Sequence, residues 1–146
     1  MLPPNTRAPE FTLPDSNGSP VSLSDFLGSS VVLVFYPKDH SAVCTKQLND
    51  YAAHVAEFES AGAKILAVST DDVRSHDRFQ VRCAFPFPLL ADADREVCRS
   101  YDVLNLLGMA QRAVYILDAE GMIRFAYKTF PAWYIKPERL LQELNT

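Results

Sequence analysis

The sequence predicts an α/β sandwich with a mixed β-sheet, and three observations predict it. Two runs, VVLVFY (31–36) and KILAVS (64–69), are apolar and β-branched with no polar alternation, the pattern of strands covered on both faces. Between them the apolar positions shift to helical spacing. Further on, RAVYIL (112–117) and MIRFAYK (122–128) flank the tight turn DAEG (118–121), which reads as an antiparallel hairpin.

Taken in order, residues 1–20 are rich in Pro, Asn, Ser and Gly and read as an extended lead-in. Within it PDSNGSP (14–20) is a turn that joins two short strands. VVLVFY follows and Pro37 stops it, because proline cannot continue a central ladder. From Cys44 to Ser60, the residues Leu48, Tyr51, Ala52, Val55 and Phe58 recur at spacings of three and four, one face of a helix. Ala61 and Gly62 end it before KILAVS. Thr70 and Asp71 offer N-caps for a helix through about Arg82. FPFPLL (85–90) closes as a short strand, and Asp92 to Tyr101 reads as a helix. After the hairpin, Pro137 opens a last helix carrying Leu140, Leu141 and Leu144. No repeat or linker divides the chain, so one domain over residues 1–146 is expected.

With 48% hydrophobic and 22% charged residues, the composition is that of a soluble globular protein. A formal charge of −4 supplies no attraction towards nucleic acid or an anionic membrane. The first residues lack a basic start followed by an apolar run, and no run approaches a membrane span, so a cytoplasmic location is expected. Three cysteines, Cys44, Cys83 and Cys98, make neither a disulfide framework nor a CxxC pair. Three scattered histidines add no metal-ligand spacing, so neither metal nor cofactor is expected.

Chemistry concentrates in YPKDHSAVC (36–44), where a buried strand ends and a helix begins. Functional groups of α/β proteins gather at the carboxyl ends of strands. Cys44 falls in the first turn of the helix, where free N–H groups and the helix dipole favour an anion. That matters because the thiolate is the nucleophile, and an ordinary cysteine is only about 3% ionised at neutral pH. The competing reading of Cys44 is a small buried hydrophobe, of Ser41 a helix cap, of Pro37 a strand stop, and of Arg112 a surface charge. His40 is read as a solvated loop residue rather than a base.

Pro37, Ser41 and Cys44 have the spacing of the peroxiredoxin motif PxxxTxxC in its serine form, and the chain resembles that family over nearly its whole length. APEFTL (8–13), AVSTDD (67–72), FPFPLLAD (85–92) and RAVYILD (112–118) fall in family order. The subfamily it resembles most is bacterioferritin comigratory protein, or PrxQ. The resemblance implies a thioredoxin-like fold with a central mixed sheet, flanking helices and an N-terminal extension. It implies a peroxidase acting on hydrogen peroxide and small organic hydroperoxides, recycled by a thioredoxin-like or other thiol reductant. Cys44 would be the peroxidatic nucleophile, Ser41 a hydrogen-bonding partner of the peroxide, Arg112 the stabiliser of thiolate and leaving oxygen, and Pro37 the shield.

The sequence also departs from its family. Gln47 stands where glutamate is usual, which implies a neutral partner for the arginine, and Asn49 stands where many PrxQ chains carry the resolving cysteine. Others carry it at the place of Gln80, and Cys83 lies one turn further on about the same helix face. Cys83 is therefore the first candidate for resolving Cys44, Cys98 the second, and an outside thiol the remaining route. A disulfide needs Cα atoms within about 7 Å, so the first turn around Cys44 is expected to unwind during the cycle. A thiol–disulfide oxidoreductase and a non-catalytic thioredoxin-like binding domain are the alternatives. A monomer is expected; Phe130, Trp133 and Tyr134 are read as covering the core beside the last helix, with a contact surface as the alternative.

Overall fold

The computed structural model describes residues 1–146. Its centre is a five-stranded mixed sheet in the order β5-β4-β3-β6-β7, formed by Leu89–Ala91, Ala63–Ser69, Ser30–Phe35, Ala113–Leu117 and Ile123–Lys128. β3, β4 and β5 run parallel, while β6 pairs antiparallel with β3 and with β7. β3 lies in the middle and is covered on both faces, which is why its sequence shows no polar alternation. Val31, Leu33 and Phe35 point to one core and Val32 and Val34 to the other.

The two cores have different covers. On one face, helix α1 (Ala42–Ala53) contributes Leu48 and Tyr51, α2 (Val55–Ser60) Phe58, α3 (Val73–Cys83) Phe79 and α5 (Pro137–Leu144) Leu140. On the opposite face lie α4 (Glu96–Ser100) and the N-terminal segment through Ala8, Phe11 and Leu13. That segment contains the expected hairpin of β1 (Thr12–Pro14) and β2 (Pro20–Ser22). Its turn closes on the Asp15 carboxylate, which accepts from the backbone N–H of Asn17 and of Ser19, with Gly18 at φ 79°.

Several expectations need correction. The helix expected from Cys44 to Ser60 breaks at His54, whose ring Nδ1 lies 2.9 Å from the Asp50 carbonyl and takes the place of a continuing backbone donor. α3 is capped by Asp72, not by Thr70 or Asp71: the Asp72 carboxylate accepts from Ser75 N–H at 2.9 Å. The helix expected from Asp92 to Tyr101 shortens to α4 because Arg95 sits at φ 66°. Asp92, fully buried, reaches past that kink and accepts from the N–H groups of Val97 and Cys98. Phe130 and Trp133 stand exposed rather than covering the core; only Tyr134 packs inward, its ring edge-on to Tyr51.

Candidate active site

Helix α1 starts on Ser41, whose extended backbone and short hydroxyl suit an N-cap; its Oγ accepts from Cys44 N–H at 3.3 Å. Cys44 is thereby the third helical residue, with its sulfur fully buried. Arg112 directly precedes β6, next to the end of β3, and is only 5% exposed. Its guanidinium is shared three ways. Nη2 lies 3.2 Å from the Cys44 sulfur, Nη1 donates to Gln47 Oε1 at 2.7 Å, and Nε donates to the Pro131 carbonyl at 3.2 Å. Gln47 in turn donates to the Tyr51 hydroxyl, which donates to the Ile135 carbonyl. These bonds hold a cation against the sulfur from the start of β6, helix α1 and the loop before α5.

Pro37 is half-buried at the end of β3, at the start of the loop that leads to Ser41. His40 is exposed, its ring packed against that of Phe79, and its backbone is left-handed at φ 65°. The two remaining cysteines lie apart from one another. Cys83, partly buried, ends α3 and packs against the same core as Cys44. Cys98 belongs to the core on the other face of the sheet, where burial and the neighbouring Asp92 push its thiol far up. The sheet stands between Cys98 and Cys44.

Sequence reasoning missed a buried polar cluster beneath the loop. Asp39 is 3% exposed, and its carboxylate accepts from the Tyr36 hydroxyl at 2.6 Å, the Ser75 hydroxyl at 2.7 Å and His76 Nδ1 at 2.7 Å. Burial raises the affinity of Asp39 for a proton, but the hydrogen bond and charge of His76, with those of Tyr36 and Ser75, outweigh it and hold the acid below its ordinary range. Burial and the adjacent carboxylate push Tyr36 well up, so it serves as a donor. Asp71 accepts from Asp39 N–H at 2.8 Å and from the Ser69 hydroxyl at 2.6 Å. Asp39, Asp71 and His76 bring their ligand atoms within 4.8 Å of one another, yet protein hydrogen bonds already engage all three. The one signal in the sequence was an aspartate placed between a strand end and Cys44.

A mixed sheet whose central strand delivers a cysteine to a helix start, with an arginine from a neighbouring strand on the sulfur, defines a thioredoxin-like fold of peroxiredoxin type. Residues 4–126 match the AhpC/TSA family, and the chain belongs to that family. It is 39% identical over 130 residues to Peroxiredoxin Bcp of Xanthomonas campestris pv. campestris, covering 83% of this chain and 81% of the relative. It is 37% identical over 140 residues to the chloroplastic Peroxiredoxin Q of Oryza sativa subsp. japonica, covering 94% of this chain. The match spans 63% of that rice protein's length. Among solved structures, the bacterioferritin comigratory protein of Xanthomonas campestris, described for its alkyl peroxide reduction, superposes with a TM-score of 0.82 at 34% identity. That superposition covers 92% of this chain and 90% of the other. Peroxidoxin BcpB of Mycobacterium tuberculosis gives a TM-score of 0.89 at 28% identity, covering 99% and 97%.

Proposed function

We propose that this chain is a thiol peroxidase that reduces hydrogen peroxide and small organic hydroperoxides through Cys44. The observation that carries the reading is the Arg112 guanidinium 3.2 Å from the Cys44 sulfur, in a site that excludes water. A cation fixed there favours the thiolate and meets the charge that develops on the departing oxygen. The thiolate attacks one peroxide oxygen, the O–O bond breaks, and the other oxygen leaves as hydroxide or alkoxide and takes up a proton. Cys44 is left as a sulfenic acid. Ser41 Oγ accepts from Cys44 N–H, which leaves its hydroxyl hydrogen to donate to the bound peroxide. Pro37, at the mouth of the loop, shields the sulfur.

Recycling follows by condensation of the sulfenic acid with a thiol, which releases water and forms a disulfide that a thioredoxin-like dithiol reduces. Cys83 is the inner candidate because it packs against the same core as Cys44. The oxidoreductase alternative needs a second cysteine separated by two residues from the first, and Gln47 stands there. A non-catalytic binding domain has no use for a buried arginine aimed at a buried sulfur. The reading carries a cytoplasmic monomer with it, tested by cell fractionation and by sedimentation. No helix is long and apolar enough to cross a membrane.

Reduced protein mixed with hydrogen peroxide should lose the Cys44 thiol within seconds, and the Cys44→Ser variant should lose none at that rate. Thiol titration and intact mass follow both. A Cys44 thiol no more reactive than free cysteine would sink the reading.

A further inference from the structure

Residues 37–41 carry the reactive helix start, and their one deeply buried anchor is Asp39. Its ties lead to α3 and to the segment after β4. Ser75 and His76 of α3 bond its carboxylate, Asp71 accepts from its N–H, and the next residue, His40, lays its ring on Phe79 of α3 at 4.9 Å between centroids. His76 is wholly buried, and both ring nitrogens face acceptors: Nδ1 the Asp39 carboxylate at 2.7 Å, Nε2 the Leu90 carbonyl at 3.0 Å. A carbonyl can only accept, so Nε2 carries a hydrogen. The contact is a buried ring–carboxylate pair joining α3 to the loop. Losing one partner leaves the other buried and unsatisfied, so the pair is hard to open one side at a time. It also over-determines the left-handed backbone of His40, a conformation that persists in a non-glycine residue only when its surroundings hold it.

We propose that Asp39 and His76 are positioning residues, a buried latch that holds the loop before Cys44 in the form that keeps the sulfur against Arg112. The proposal rests on the peroxidase reading of Cys44. The two reactions ask opposite things of the loop. A peroxide reacts with the sulfur held beside the Arg112 guanidinium, whereas a bulky disulfide reagent needs the sulfur brought out of the core that buries it. The latch joins the loop to the helix that ends in Cys83, so opening it separates the nucleophile loop from the N-terminal half of α3.

The test uses the full chain with Cys83→Ser and Cys98→Ser, leaving Cys44 as the only thiol. His76→Gln and Asp39→Asn are introduced separately. Two rates are compared: oxidation of Cys44 by hydrogen peroxide, and its reaction with the aromatic disulfide DTNB. The latch predicts peroxide oxidation slower by about tenfold and DTNB reaction faster by about tenfold, the size expected for removing a charged hydrogen bond. Val103→Ala, in the opposite core, serves as a control for general destabilisation and leaves both rates unchanged. Both rates unchanged, or both falling together with the melting temperature, overturns the latch. If Cys44 of the parent proves inert to peroxide, the peroxidase reading fails, and the DTNB rate alone still decides whether the pair closes the loop.

Discussion

Arg112 brings its full charge to Cys44 because its other terminal nitrogen meets the Gln47 amide and not a carboxylate. The resemblance to family sequences implied this neutral partner, and the geometry locates it. Asp39 is the complementary acid, held low by His76 and two hydroxyls against the cost of burial. An acid held below its ordinary range in the folded chain binds its proton more tightly when unfolded. Its contribution to stability is therefore complete above the unfolded value of about 3.9 and is lost as pH falls through that value towards the folded one. Denaturant midpoints measured from pH 6 downwards should fall less steeply below about pH 4 in Asp39→Asn than in the parent. Parallel curves would mean that Asp39 titrates alike in both states.

At the scale of elements, neighbouring residues of like chemistry divide their work by geometry. Asp72 caps α3, and Asp71, one residue earlier, accepts from Asp39 N–H in the motif loop. Asp72→Ala should lower stability by about 1 kcal/mol, the usual loss for an N-cap, and leave the peroxide rate within twofold. Asp71→Ala should slow peroxide oxidation of Cys44 by about fivefold or more, as expected when a hydrogen bond to a charged acceptor is lost. Chemical denaturation and stopped-flow oxidation of both variants check the contrast. Sequence periodicity pointed to α1, and cap and proline signals to α3 and α5, but the α3 cap was assigned to the wrong residue. Asp71 and Asp72 are equivalent as letters, and only the position of Asp39 in space decides which one is drawn away from the helix.

For the molecule as a whole, the sheet acts as a partition. Cys44 and Cys83 share one core, and Cys98 lies in the other, beneath the N-terminal segment. Peptide mapping after one equivalent of peroxide should therefore yield no Cys44–Cys98 disulfide. Cys98→Ala should leave the oxidation rate unchanged while lowering stability by about 1 kcal/mol, as for loss of a small, buried, apolar-like group. A Cys44–Cys98 bond in the map would require the chain to unfold across its own sheet. The aromatic segment before α5 behaves differently from what composition suggests. Phe130 and Trp133 are exposed, while Pro131 between them gives its carbonyl to Arg112 and ties the backbone to the site.

By itself the sequence determined the strands, the helix with Cys44 in its first turn, the hairpin and the motif of Pro37, Ser41 and Cys44. These depend on local period and on residues close in the chain. Tertiary structure alone decided which core each cysteine occupies, that Gln47 and Pro131 share the arginine, and that His76 closes on Asp39 across 37 positions. Those partners lie far apart in sequence. A polar residue gives no sign of its burial until a second one, brought from elsewhere, satisfies it.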